Sequence, residues 1–176
     1  MKIYFVRHGQ THHNINRLAT GHIDVSLSEE GIQQAEKLSA ELPSDFNHIY
    51  SSDLIRCKQT SDILNKKLGL EIIYDARLRE RDFGSLSGKP IETFSQDLIE
   101  KDKKQEYNYR PYGGESVEDV KARIFNFINE LLKNKNQEKI LVVTSGGIIR
   151  LLHNLVNKEV HERIHNASIH EFEFNI

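Results

Sequence analysis

The run Ile140-Leu141-Val142-Val143 constrains the fold more than any other stretch of the chain. Successive side chains of a strand point to opposite faces, so four apolar residues in a row must be covered on both sides. A strand of that kind belongs near the middle of a parallel sheet flanked by helices. The rest of the chain supplies partners. Ile3-Tyr4-Phe5-Val6, His48-Ile49-Tyr50-Ser51 and the segment from Glu71 to Tyr74 read as further strands, and Ile169 to Phe174 alternates as an edge strand does. Helical patterns separate them. Ser28 caps a helix with the stripe Ile32, Ala35, Leu38 and Leu42, stopped by Pro43. A second helix runs from Asp53 to Leu68 and closes at Gly69, a third follows the cap Ser116 with apolar spacing from Val117 to Leu132, and Gly146-Gly147 opens a fourth through Asn157.

This alternation predicts an α/β fold, a three-layer sandwich with helices on both faces of the sheet. The 176 residues fit one domain, 1–176. Two stretches lack the pattern. Residues 11–26 are rich in His, Asn and Thr and read as a functional loop. Residues 90–105 read as a polar helix outside the core, within a lid or insert at about 86–115 that also holds the aromatic, glycine-containing loop from Tyr107 to Gly114.

The net charge of −2 gives no basic field for nucleic acid, so an anionic ligand must be drawn by locally clustered arginines. The single cysteine, Cys57, excludes an intrachain disulfide framework and fits a reducing cytosol. No apolar run approaches membrane-spanning length, and Met1-Lys2 leads directly into a strand rather than a signal peptide. The expectation is a cytoplasmic protein, monomer or homodimer, without membrane partners.

Arg7-His8-Gly9 stands where the first strand ends, the usual place for function in an open α/β sheet. Arginine presents a fixed cationic fork that matches phosphate oxygens, histidine is a neutral nucleophile near pH 7, and glycine lets the backbone approach a ligand. The set suits transfer of a phosphoryl group onto an imidazole. The wider pattern is Arg7-His8-Gly9-Gln10-Thr11, Asn14, Gly21 and Asp24, then Leu27-Ser28-Glu29-Glu30-Gly31 with Gln34-Ala35. Ser51-Ser52-Asp53-Leu54 and Arg56 follow, then Leu78-Arg79-Glu80, Phe83-Gly84, Gly88, Gly113-Gly114-Glu115-Ser116 and Val142-Val143-Thr144 before Gly146-Gly147.

In these residues, and in their order, the chain resembles the histidine phosphatase superfamily, the phosphoglycerate mutase-like proteins. The resemblance implies a mostly parallel mixed sheet with one antiparallel strand. The closing Asn166-Ala167-Ser168 is similar to the phosphatase branch, to α-ribazole phosphatase-like and broad-specificity phosphatases. The expected activity is therefore metal-independent hydrolysis of a phosphomonoester through a phosphohistidine, without cofactor, on a small phosphorylated metabolite; inorganic phosphate is a further expected ligand.

Catalytic roles fall to His8 as nucleophile, Arg7 and Arg56 as the clamp on the equatorial oxygens, and Glu80 as general acid, with Glu115 ranked below it. Asn14, Gly21, Ser145 and Gly146 are the candidate phosphate-binding residues, and no residue is assigned to metal. One position departs from the family. Thr144-Ser145-Gly146 carries serine where the family places a second histidine, which reads as an inactivating substitution made to trap ligand, as a natural weakening or alteration of activity, or as a loss compensated by His12, His13, His22 or His153. Three competing readings remain open: a metal site of His8, His12 and His13, a mutase-type phosphotransferase, and a pseudoenzyme that binds phosphorylated ligand. A phosphate-binding Arg beside His8 argues against the first, and the shorter length against the second.

Overall fold

The apolar run forms the middle of a five-stranded sheet. A computed structural model describes residues 1–133, 139–157 and 163–174. Its strands are β1 (Lys2–Arg7), β2 (His48–Ser51), β3 (Ile72–Tyr74), β4 (Lys139–Thr144) and β5 (Ile169–Glu173), in the order β3-β2-β4-β1-β5. β4 lies between β1 and β2, parallel to both, and β3 continues the parallel set. β5 closes the edge antiparallel to β1, pairing Phe172 with Ile3.

The period of two then sorts the side chains onto two faces. Ile3, Phe5, Ile140 and Val142 belong to one core with α5 (Val117–Lys133) and α6 (Gly146–Leu152). Val6, Leu141 and Val143 belong to the other with α2 (Glu29–Glu41) and α3 (Ile55–Leu68). Each helix turns a narrow stripe inward: Val120, Ile124, Phe127 and Leu131 on α5, Leu64 with Cys57 on α3. The result is the three-layer α/β sandwich with a mixed sheet. At roughly 1.5–3 kcal/mol for each large apolar side chain taken fully out of water, these two cores supply the main driving force for folding.

Local signals set the helix ends. Ser28 Oγ accepts from Gly31 N at 3.1 Å and starts α2, and Gly69 at φ 65° stops α3 in the left-handed conformation that glycine tolerates best. Ser116 Oγ accepts from Asp119 N at 3.3 Å while Asp119 takes Ser116 N at 2.9 Å, so the start of α5 is held reciprocally.

Four expectations change. Residues 11–26 contain a one-turn helix, α1 (His12–Ile15); Thr11 and Asn14 cap each other reciprocally, and a single turn is too short to show periodicity. Ile32, expected inward, is 39% exposed, because α2 buries Gly31, Ala35 and Leu38 instead. Residues 91–103 are a short turn of tight helix, Ile91–Thr93, followed by α4 (Gln96–Lys103). This region is not excluded from the core: Leu98, Tyr107 and Tyr109 are buried in the cluster that β1 and α5 line, with Tyr109 edge-on to Phe83 at 4.8 Å. Finally, α6 passes at His153 into a wider π-type turn through Asn157.

Two glycines lock the turn after β1 to the start of α2. A Cβ on Gly9 would lie 2.3 Å from the Gly31 carbonyl oxygen, and one on Gly31 would lie 2.1 Å from that of Gln10. Both obstacles are backbone and neither can swing away. Gly9→Ala is expected to cost roughly 3 kcal/mol, read as a lower urea midpoint with an unchanged slope. A variant as stable as the parent would mean that these two backbones are not in contact.

Candidate active site

The carboxyl ends of β1, β2 and β4 share one edge of the sheet, with Arg7 level with Thr144 and Ser51 with Val143. A cleft of about 810 Å³ opens over that edge. Arg7, His8, Asn14, Gly21, Arg56, Glu80 and Gly146 all line it, so seven of the eight residues singled out from the sequence come together.

His8 is 3% exposed and anchored at both main-chain ends: its N–H donates to Thr144 O at 3.0 Å, and its carbonyl accepts from Asn166 Nδ2 at 3.1 Å. Its Nδ1 lies 2.7 Å from Gly9 O, a partner that can only accept, so Nδ1 carries the proton. Nε2 is then the ring's acceptor, and Arg56 Nε donates to it at 3.2 Å. Burial, then the Arg56 and Arg7 charges, push His8 well below the ordinary histidine pKa, against the weaker pull of the Gly9 carbonyl. The imidazole is held neutral with its lone pair toward a guanidinium.

This neutrality has a signature in stability. The unfolded chain binds a proton at His8 below the ordinary value of 6.5, whereas the native site resists it. The unfolded state therefore gains protons first, and stability is lost as pH falls from 6.5 toward the depressed native value, by at most about 1.4 kcal/mol per pH unit. Between pH 7.5 and 5.5 the parent is expected to lose about 1 kcal/mol more than His8→Gln, read by urea unfolding. Equal losses would mean that His8 protonates in place.

Arg56 is 1% exposed although charged. Beside His8, it donates from Nη1 to Ile23 O at 3.0 Å and from Nη2 to Gly21 O at 2.8 Å. Thr60 ties its backbone to the loop, accepting from Gly9 N at 3.1 Å and donating to Arg56 O at 2.8 Å. Gly21 thus orients Arg56 through its carbonyl; it adopts φ 51°, in the left-handed region. Arg7 bonds the Ile164 carbonyl through Nη1, while its buried Nε has no partner among the described residues. Burial lowers Arg7 to about 10, with Arg163, Arg56 and Arg150 adding to the effect and Glu80 opposing it. Asn14 Oδ1 accepts from Thr11 N and Asn166 Nδ2, both at 3.1 Å, which leaves the amide NH₂ as the donating end at the cleft.

Glu80 accepts from Arg81 N at 2.9 Å and Arg81 Nη1 at 3.2 Å through one oxygen, and from Gly147 N at 3.0 Å through the other. Burial pushes its pKa up, but Arg81, the two amides and Arg56 outweigh that, and it ends below the ordinary glutamate value. Gly147 is required here: a Cβ would stand 1.9 Å from Arg81 Nη1 and 2.2 Å from Glu80 Oε1. The Gly147 amide, near the start of α6, is thus taken by this carboxylate. Arg123 fixes the segment from behind, donating to the carbonyls of Arg77, Arg79 and Glu80 and to Glu115. His22 Nε2 meets the Glu80 carbonyl at 2.7 Å.

Ser145 is the residue the fold does not bring to the cleft. It is 1% exposed, and its Oγ makes no hydrogen bond of good geometry among the described residues. It sits near the Cys57 thiol, which burial raises to about 11 while Ser52 and Ser145 pull it back. Ser145→Ala is accordingly expected to change turnover less than about threefold, since removing an unpartnered buried hydroxyl is nearly neutral. A tenfold loss in steady-state assays would place that hydroxyl on the substrate.

Of the four histidines named as replacements, His13 lines the cleft, and its pKa is lowered by burial and then by Arg56. His12 is exposed, His22 braces Glu80, and His153 packs on Phe172 at 4.7 Å. Among the described residues no three His, Cys, Asp or Glu side chains converge as a metal-ligating group requires. Sequence reasoning missed Arg81, Asp102 and Arg150, which line the same cleft. Arg150 lay within reach, since it falls one turn after Gly146 on a helix starting at the site.

The model of the histidine phosphatase superfamily (branch 1) matches residues 3–175. The chain belongs to the histidine phosphatase superfamily. It is 35% identical to phosphoglycerate mutase-like protein 4 of Arabidopsis thaliana over 180 residues, covering 97% of this chain and 78% of that one. It is 41% identical to fructose-2,6-bisphosphatase TIGAR of Xenopus tropicalis over 156 residues, covering 81% of this chain and 56% of the relative. A solved mycobacterial glucosyl-3-phosphoglycerate phosphatase in complex with VO3 superposes with a TM-score of 0.85 at 29% identity, over 97% of this chain and 91% of that chain. Among the described residues no helix of this family member is long and apolar enough to cross a membrane.

Proposed function

We propose that this member of the superfamily is a metal-independent phosphomonoester hydrolase acting on a small phosphorylated metabolite through a phosphohistidine. One observation carries the reading: His8 presents an unprotonated Nε2, fixed by the Nδ1–Gly9 carbonyl contact, beside the Arg56 guanidinium and with Arg7 on the same cleft wall. Two fixed cations act where the phosphoryl oxygens carry charge in transfer.

In the proposed sequence Nε2 attacks phosphorus as the bond to the leaving oxygen breaks, and Arg56 moves its Nε hydrogen bond from the ring to a phosphoryl oxygen. Arg7 and Asn14 take the other oxygens, with the Gly146 backbone at the same wall; Gly21 acts through Arg56. Glu80 takes up the proton that the ester monoanion brings and passes it to the leaving oxygen, then accepts one from the water that attacks the phosphohistidine and releases inorganic phosphate.

Because Glu80 is held as a carboxylate, the proton must arrive with the substrate. A phosphate monoester loses its second proton near pH 6, so the monoanion brings it and hydrolysis of alkyl esters is fastest on the acid side of neutrality. The relatives include proteins named as phosphatases and proteins named as phosphoglycerate mutases, so the product analysis below separates hydrolysis from phosphoryl transfer. The test is a panel of phosphomonoesters with and without chelator. Phosphate release indifferent to chelator is expected. Chelator-sensitive release would overturn metal independence, an isomerised phospho-acid would indicate a mutase, and binding without release a pseudoenzyme.

A further inference from the structure

The cleft has a second charged region, beyond the groups assigned to the phosphoryl transfer. Asp102, on α4, offers one carboxylate oxygen to each of two arginines: Oδ2 to Arg81 Nη2 at 2.7 Å and Oδ1 to Arg150 Nη2 at 2.8 Å. All three side chains are largely buried, at 17%, 8% and 17% exposure for Asp102, Arg81 and Arg150. Arg81 is also clamped between rings, 4.9 Å from the Phe83 centroid and 5.0 Å from that of Tyr107. Its remaining terminal nitrogen is on Glu80. Glu80, Arg81, Asp102 and Arg150 therefore form a line of alternating charge whose sum is zero.

We infer that Asp102 is a specificity-determining residue: it occupies the place between Arg81 and Arg150 that a second anionic group of the substrate would need, and so restricts the site to phosphomonoesters whose remainder is uncharged. This rests on the phosphomonoesterase reading and narrows its substrate class. Two buried guanidinium groups that share one small anion are what a carboxylate or second phosphate would otherwise seek, through charge-assisted, bidentate bonds. With Asp102 in place such a group meets a carboxylate instead. The cations left at the rim, Arg17, Lys103 and Arg163, are exposed and solvated, and hold an anion only weakly. The same cleft is also lined by the apolar side chains of Phe83, Phe94, Ile91, Ile99 and Tyr109. It accommodates an uncharged, partly apolar remainder.

Binding decides this without requiring turnover. Alkylphosphonates of two to four carbons are titrated calorimetrically against ω-carboxyalkylphosphonates of the same lengths, with the parent and with Asp102→Asn and Asp102→Ala. The parent is expected to bind the alkyl series at least as tightly as the carboxylated one at every length. Either Asp102 variant is expected to shift that ratio toward the carboxylated series by about tenfold or more, the scale of one charge-assisted bond. Tenfold tighter binding of any carboxylated ligand by the parent overturns the inference, and this arm stands even if neither variant folds. An unchanged ratio in a variant with cooperative melting overturns it as well. Binding of neither series by the parent overturns the phosphomonoesterase reading itself, and this inference with it.

Discussion

A His8→Ala variant is expected to lose phosphomonoester hydrolysis by roughly four to six orders of magnitude while keeping a cooperative unfolding transition. The size of the loss follows from what the side chain is placed to do. With Nδ1 tied to Gly9 O and Nε2 beside Arg56, no other group among the residues lining the cleft offers a neutral imidazole so fixed beside a guanidinium. Truncation removes the nucleophile, whereas the clamp of Arg7 and Arg56 stays. Ligand binding should therefore survive, and inorganic phosphate is expected to protect the variant against heat much as it protects the parent. Rapid quench of the parent into base should trap phosphate on the chain, and the variant should show none. A variant retaining more than a hundredth of parental turnover would remove His8 from the chemistry and end the phosphohistidine reading.

The second large effect is expected at Glu80, and it should depend on the leaving group. Glu80→Gln is expected to lower turnover of an alkyl phosphate by about 100- to 10,000-fold, the range for a general acid–base group. A nitrophenyl ester, whose leaving oxygen needs no proton, should lose far less in the first half-reaction. The amide is not isosteric in function here, because both Glu80 oxygens accept from N–H groups of Arg81 and Gly147. Its NH₂ must face one of those donors, at a cost of about 1–3 kcal/mol of stability. Melting measurements separate that cost from the kinetic one. Equal losses on alkyl and nitrophenyl esters would show that Glu80 only shapes the site. The pH profile gives a second reading: the parent's alkyl-ester activity should fall above about pH 6, as the substrate loses the proton that the carboxylate cannot supply.

Much of this molecule was legible in one dimension. Ile140 to Val143 announced a strand covered on both faces, and the period of two assigned Ile140 and Val142 to one core, Leu141 and Val143 to the other. Arg7, His8 and Gly9 could be placed because a strand end fixes where the next residues must emerge. Arg56, two residues into α3, follows from the same rule at the second strand. These are local properties, set by pattern and by the few ways a strand can pass into a turn.

What needed the folded chain is of another kind. That Gly147 N belongs to Glu80 rather than to a phosphate depends on two segments 67 residues apart meeting at 3.0 Å. That Ser145 turns its hydroxyl away from the cleft, toward Cys57, is a matter of side-chain direction at a helix start, which residue type does not specify. Asp102 looked like one more charge on a polar helix, yet Tyr107 and Tyr109 bury their loop in the core and bring α4 against Arg81 and Arg150. Sequence determined which chemistry the strand ends carry, because hydrophobic period and turn geometry act over a few residues. Only tertiary packing decided how the cleft's charges pair, because Coulomb energy and desolvation depend on distances between segments the chain order leaves unrelated.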